Sequence, residues 1–481
     1  MKEKSLKLNS FMNTFKTLMS LVFPLITYPY ALRVLQVDNI GKNNYANSIV
    51  SYFVLLAGLG ISRYAIREGA RKRDDKSGFN EFASQMFTLS IISTLLSYCL
   101  LFVLMMLSSS LKSYRVLIWV HSITILGTMI GMDWVNSAFE EYTYITIRTI
   151  AFQLVSMILL FAIVHDENDI VKYAWISVVS NIGANCLNFF YIRRFASIGI
   201  RFRGLKQHIA PIVWLFASSI ATTIYVNSDT TMLGYYCGDT PVGLYGVSTK
   251  IYSVIKQLLA ASIIVALPRL SSNFANNRLD EFKATISGVF STFTTILLPV
   301  MVGLFVLASE AVEVIGGAEY RAATTSLRIL CISLGFSIFA TFYTNALLMP
   351  LKREREITLI MIISATINLL LNIWIIPRFQ QDGAAFTTVI AELFVMVSQM
   401  LLMRKEKLLR INRKDLISSI VGCAGIIVVA GISFALTEQL LFRIVFTVLG
   451  SIFTYYIILL VMKNSIVVGI NARIRRVWNK S

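Results

Sequence analysis

Four ionisable side chains stand in stretches otherwise apolar enough to lie in a membrane: Asp229 in YVNSDTTMLGYY, Lys250 and Lys256 in YGVSTKIYSVIKQLL, and Glu392 in VIAELFVMVSQ. Charge in such surroundings is retained where it meets a partner, a cavity or a pathway, so each is a candidate for binding a ligand or an ion. Tyr225, Asp229, Met232 and Tyr236 fall at i, i+4, i+7 and i+11, the spacing of one helical face. Tyr245, Thr249, Tyr252 and Lys256 repeat that spacing on the next apolar stretch. Asp229 and Lys250 would sit at similar depth on adjacent helices and can pair, whereas Lys256 lies about 120° around the helix from Lys250 and nearer the midplane. That assigns Lys256 to a substrate and Lys250 to the pair or the substrate, with Tyr225 and Tyr252 beside them. Glu392, with Gln399 on the same face, suits a proton or sodium site, a partner for Lys256, or a protonated carboxyl in an interhelical hydrogen bond. Arg33, Arg63 and Arg67 are further cationic candidates, although side chains of that length also snorkel to interfaces. Two polar stripes, Asn181–Asn185–Asn188 and Ser364–Asn368–Asn372, fit either a hydrated lumen or ordinary helix-to-helix hydrogen bonding.

Other chemistries find no support in these residues. No G-x-x-x-x-G-K-[ST] cradle is present, and the GLG at 58–60 lacks the rest of a dinucleotide fingerprint and suits close helix packing. His121, His165 and His208 show no ligand spacing, so no metal and no cofactor is expected. Cys99, Cys186, Cys237, Cys331 and Cys423 are scattered singly and read as packing residues. The net charge of +18 could suggest nucleic acid, but its clusters are better explained as topology determinants and contacts to anionic lipid.

The elements that must carry these residues are membrane helices. Of 481 residues 56% are hydrophobic and 15% charged, and the mean hydropathy is +0.69. Apolar windows predict fourteen spans, at 17–35, 43–66, 80–107, 115–139, 144–165, 170–192, 209–236, 244–268, 283–307, 322–350, 356–377, 383–403, 413–437 and 440–462. The basic N-terminus runs into the first span without a cleavage-site pattern, so that span is expected to stay. Most of the 44 lysines and arginines fall on the side of the termini, in RYAIREGARKRDDK, RRFASIGIRFRGLK, RKEKLLRINRKD and NARIRRVWNK, which predicts both termini in the cytoplasm. The segment DNIGKNNYANS at 38–48 is echoed by DTPVGLYGVS at 239–248, as expected of two parallel six-span repeats. The predicted division is an N-terminal lobe over 1–195, a basic linker at 196–208, a C-terminal lobe over 209–403, and two further spans with a basic tail over 404–481.

The stretch NSDTTMLGYYCGDTPVGLYGVSTKIYSVIKQLLAASIIVALPRLS, residues 227–271, resembles the seventh and eighth helices of the Wzx-type polysaccharide flippases, with Asp229, MLG, VGLY, Lys250 and LPRLS in that family's order. VDNIGKNNYANSIVSYFVLLAGLGISRYAIREGARKR and SAFEEYTYITIRTI are similar to its N-terminal segments. The resemblance implies an all-α integral membrane protein with two lobes in a V-shaped bundle. It also implies the substrate, an undecaprenyl-diphosphate-linked oligosaccharide moved to the outer leaflet of a bacterial cytoplasmic membrane by alternating access for O-antigen or capsule synthesis. Partners would be membrane lipids and a polysaccharide polymerase with its chain-length machinery, not nucleic acid. Lysines and arginines in a wet cavity suit a diphosphate, and tyrosine, asparagine and threonine suit sugar hydroxyls. Coupling to protons or sodium would run through Glu392 or Asp229. The alternatives are a cation-coupled multidrug exporter on the same scaffold, which would want an acidic cavity, and a membrane glycan polymerase, which would usually carry a larger outside loop than HDENDI or ASEAVEVIGGAEYRAA.

Overall fold

A computed structural model describes residues 6–478 except 265, 277 and 407. Its backbone is helical nearly throughout, as it must be where no water is available to satisfy peptide groups. In chain order the helices are α1 (Leu6–Gly58), α2 (Ile61–Lys72), α3 (Lys76–Leu107), α4 (Arg115–Gly131), α5 (Asp133–Ala138), α6 (Tyr142–Ile163), α7 (Ile170–Ile192), α8 (Lys206–Cys237) and α9 (Asp239–Ile264). There follow α10 (Leu267–Ala275), α11 (Leu279–Val306), α12 (Ala308–Gly316), α13 (Ala323–Phe342), α14 (Glu354–Met403), α15 (Arg413–Leu436), α16 (Leu440–Val461) and α17 (Ser465–Trp478). Among the described residues eleven helices are long and apolar enough to cross a membrane. Two of them are double: α1 breaks at Gln36 (φ 64°, ψ 173°) and α14 at Gln380 (φ 50°, ψ −129°). With those two divided, thirteen of the fourteen expected spans coincide with such helices, and the window at 170–192 coincides with α7.

The chain packs as two compact units, Met1–Gly246 and Val247–Ser481. The division expected at 196–208 therefore differs from the packing boundary, which falls inside α9. The physical reason is that α8 is fastened to the helices before it. His208, at its start, is buried, with Nδ1 2.8 Å from the Tyr64 hydroxyl of α2 and Nε2 2.9 Å from Gln85 Oε1 of α3. The basic linker is equally anchored. Backbone N–H groups of Ser197, Gly199 and Arg201 donate to Asn80 Oδ1, Ser84 Oγ and Thr88 Oγ1 at 2.9, 3.1 and 2.8 Å, and Gln85 Nε2 donates to the Arg203 carbonyl at 3.0 Å. Asn80, Ser84 and Thr88 lie at i, i+4 and i+8, one face of α3, so a polar stripe grips every second residue of an extended segment.

Residues 38–48 and 239–248, which link the first two expected spans of each half, are helical throughout. Asp38 follows closely on the break at Gln36, and Asp239 opens α9 directly after Gly238, whose φ is 84°. The two echoing segments touch: Thr240 Oγ1 donates to Asp38. A Cβ at Gly41 would fall 1.9 Å from the Asp239 carbonyl oxygen, and one at Gly243 would fall 2.2 Å from that of Val37. Each repeat thus presents a glycine to the backbone of the other, an approach that no larger residue allows.

The short connection before α7 caps itself. Asp169 accepts the backbone N–H of His165 at 3.0 Å and that of Asp166 at 3.2 Å, and its carboxylate pairs with Lys172 at 2.6 Å. The His165 amide first, then Lys172, hold its pKa down to about 2. A folded pKa below the unfolded one, near 4, stabilises the cap above that value and loses the contribution as pH falls toward 2. An NMR titration should find Asp169 still ionised at pH 3; a midpoint near 4 would remove the cap from this account.

Candidate functional site

Helices α9, α13 and α14 bring together a polar cluster inside the second unit. Lys256 Nζ lies 2.8 Å from Glu392 Oε1, and the two side chains are 30% and 7% exposed. That distance is what a partner for Lys256, one of the readings open for Glu392, requires. Residues 136 apart in sequence meet because the face that carries Lys256 also carries Tyr252, whose ring centroid is 5.5 Å from the ammonium. The Tyr252 hydroxyl is buried close to those of Ser333 and Ser337 on α13, yet none of these three oxygens makes a hydrogen bond among the described residues. Buried hydroxyls without partners are uncommon, and a group of three beside an ion pair is suited to a polar ligand or to ordered water. Further along α14, Gln399 Nε2 donates to Thr344 Oγ1 at 2.9 Å, in the π-helical turn Tyr343–Leu348 that ends α13. Sequence reading missed Ser333 and Ser337, although their i, i+4 spacing within CISLGFSIF is the signal that could have found them.

The other predicted residues are distributed elsewhere. Asp229 is buried and accepts from the Tyr245 hydroxyl at 2.7 Å, a bond between α8 and the second turn of α9. Lys250 and Tyr225 are half-buried. Arg33 is exposed on the first segment of α1. The span expected over 43–66 ends at Gly58, and Arg63 and Arg67 both belong to the separate amphipathic helix α2. They share its exposed face with Arg71, while Ile61, Tyr64, Ala65 and Gly69 are buried on the other. The helix divides there because Leu59 and Gly60 take positive φ.

Of the two polar stripes, one resolves as helix-to-helix bonding. Asn185 Nδ2 donates to the Gly127 carbonyl at 2.9 Å, and Asn188 donates to that of Gly131, so α7 caps carbonyls at the end of α4. In the other, Ser364 Oγ donates to the Ala391 carbonyl at 3.1 Å and Thr387 donates to Asn372, joining the two segments of α14. Among the described residues no three His, Cys, Asp or Glu side chains converge as a metal site would require.

The second unit also holds an apolar groove of about 780 Å³ between α11, α13, α14 and α15, lined by residues including Leu298, Val302, Phe336, Phe339, Met396 and Ile427. Unbranched or branched hydrocarbon fits such walls, and a charged headgroup does not.

Residues 6–274, more than half of the chain, match the family described as polysaccharide biosynthesis protein. The chain belongs to that family. Its relatives include a protein of Escherichia coli named as an O-antigen transporter, 23% identical over 81% of this chain and 94% of the relative. A low-salt glycan biosynthesis flippase of Haloferax volcanii is 23% identical over 36% of this chain and 37% of the relative. Among solved structures the fold is similar to that of the lipid II flippase MurJ in an inward closed conformation, with a TM-score of 0.77 at 15% identity, covering 95% of this chain and 99% of that one. An outward-facing multidrug resistance transporter of the MATE family is more distant, at a TM-score of 0.53 over 82% of this chain and 92% of that one. The fold of this member of the polysaccharide biosynthesis family is thus an all-helical membrane transporter fold, with relatives named as transporters and flippases rather than enzymes.

Proposed function

We propose that the protein is a flippase for lipid-linked oligosaccharides, carrying an undecaprenyl-diphosphate-linked repeat unit from the cytoplasmic to the outer leaflet of a bacterial cytoplasmic membrane. The observation that carries this reading is coverage: an O-antigen transporter is matched over 94% of its length, and the fold runs the full length of a lipid II flippase. Both termini would lie in the cytoplasm, where most of the basic clusters fall. The two repeats would alternate access to the headgroup, while the polyprenyl tail stays in apolar surroundings, for which the groove lined by Phe339 and Ile427 is suited.

Lys256 and Lys250 are the cations we assign to the diphosphate, with Tyr252 and Tyr225 beside them and Arg63, Arg67 and Arg33 as further contacts. In the structure Lys256 is held by Glu392, so it can serve a diphosphate only by exchanging partners. Protonation of Glu392, or its neutralisation by sodium, would release the ammonium to the anion, and loss of the proton would reclaim it. That exchange couples an ion to the occupied site through one shared lysine. Asp229 is the alternative coupling carboxylate. The polymerase that consumes the exported unit, with its chain-length machinery, is the expected functional partner.

The test is transport of a fluorescent undecaprenyl-diphosphate oligosaccharide in proteoliposomes. Accumulation in the trans leaflet that rises with an imposed proton or sodium gradient is the expected result. Export of cationic dyes with no movement of the lipid would move the protein to the multidrug reading, and lipid movement indifferent to both gradients would remove the coupling through Glu392.

A further inference from the structure

In the first unit two helices break beside a single cavity. Helix α1 ends at Gly58, where Leu59 and Gly60 have φ of 43° and 72°, and α4 ends at Gly131, where Met132 has φ of 41°. Leucine and methionine with positive φ carry backbone strain of about 1–3 kcal/mol each, and strain of this kind gathers where a site is held in a set geometry. Interrupted helices near membrane depth are tolerated where they line a polar cavity. The cavity measures about 220 Å³, the room of about seven waters.

Its polar wall comes from five helices, with Ser62 of α2, Ser90 of α3, Thr128 of α4, Asp133 of α5 and Asn185 of α7, and acceptors predominate. Ser90 Oγ donates to the Met86 carbonyl at 3.0 Å and Thr128 Oγ1 to the Thr124 carbonyl at 3.1 Å, so both hydroxyl protons are committed and the oxygens remain to accept. Asn185 uses one Nδ2 hydrogen on the Gly127 carbonyl, which leaves the amide oxygen to accept and one N–H to donate. Asp133 opens α5 with its side chain 46% exposed, and Arg148, 4% exposed, holds it from behind with one nitrogen, Nη2, at 2.7 and 2.9 Å from the two carboxylate oxygens. Both oxygens keep lone pairs for a ligand. Trp134 supplies an apolar surface beside them.

We infer that this cavity is a subsite for one sugar ring of the transported unit, accepting hydrogen bonds from its hydroxyls. The inference rests on the flippase reading. A diphosphate has only acceptors to offer and would meet mostly acceptors, the Asp133 carboxylate among them. A cation would find the carboxylate already neutralised by Arg148, in a space too wide to coordinate a bare ion. A polyhydroxylated ring both donates and accepts, so it can meet the acceptor oxygens and the remaining Ser62 and Asn185 donors alike, and its fit is decided by hydrogen bonds that no isostere without hydroxyls can make.

The full chain in lipid nanodiscs decides the matter, with undecaprenyl diphosphate as one probe and the same lipid carrying a single N-acetylglucosamine, galactose or rhamnose as the others. The expected result is that at least one sugar-bearing lipid binds roughly tenfold more tightly than the bare one. Thr128→Leu and Ser90→Leu, which fill the cavity and leave the ion pair untouched, and Asp133→Asn should bring that ratio close to one while the bare lipid binds as before. Equal binding of all probes by the wild type, or a ratio that survives both leucine variants, would overturn the subsite. Failure of the bare lipid to bind at all would instead remove the flippase reading. Saturation-transfer NMR with the free sugars then decides the cavity alone: a signal abolished by Thr128→Leu supports it, and no signal or an unchanged one refutes it.

Discussion

Lys256→Ala should lower the stability of the purified protein by about 3 kcal/mol, because it strands a carboxylate that is 7% exposed. It should also abolish transport. The two effects separate in the double variant Lys256→Met, Glu392→Leu. Replacing a buried pair with apolar side chains of similar size is often neutral or stabilising, so the double variant should recover most of the lost stability and none of the transport. Glu392→Gln keeps the shape and removes the charge; it should fold well and transport at a rate indifferent to pH. Thermal unfolding in detergent alongside lipid movement in proteoliposomes reads all three. Transport by the double variant at the wild-type rate would show the pair to be structural, and the substrate cations would then have to be sought at Lys250, Arg33, Arg63 and Arg67.

Gly243→Val and Gly41→Val should each be nearly as damaging, for a steric reason rather than an electrostatic one. Their Cβ atoms would lie 2.2 and 1.9 Å from backbone carbonyl oxygens, which cannot swing aside as a side chain can. The segments starting near Asp38 and at Asp239 must separate, at about 1–3 kcal/mol or more. If that contact forms and breaks during transport, the variants are held in the separated state, and surface polysaccharide in a flippase-null strain complemented with them should stay at background. Gly288→Ala and Gly303→Ala are the controls, since nothing lies within 4 Å of the Cβ positions there. Full complementation by Gly243→Val would show that the contact is dispensable.

Fourteen spans were legible in the sequence because a run of apolar residues about 20 long has few alternatives to a membrane helix. The charged candidates were legible for the same reason, since Asp229, Lys256 and Glu392 stand out against hydrocarbon. Periodicity even put Tyr252 and Lys256 on one face. Partners were not legible. The meeting of Lys256 with Glu392 joins α9 to α14 across 136 residues, and no spacing rule reaches that far. The echo of 38–48 in 239–248 was visible as a pattern, but its meaning was not: the repeats present glycines to each other's backbone, and only coordinates show which atoms a missing Cβ makes room for.

Helix breaks were the least visible feature of all. Hydropathy carries an apolar run smoothly through Leu59 and Met132, because it measures composition and not φ, so the window 43–66 runs past the end of its helix at Gly58 and takes in Arg63. Composition and periodicity by themselves determined that this chain is a many-spanning helical membrane protein, and singled out the charges and tyrosines that stand in apolar surroundings within it. The pairing of those charges, the capping of α4 by Asn185 and Asn188, and the cavity between two interrupted helices were decided by tertiary structure alone. The physical reason is that burial is a property of each residue, whereas a hydrogen bond or a cavity belongs to residues that the fold brings together from distant parts of the chain.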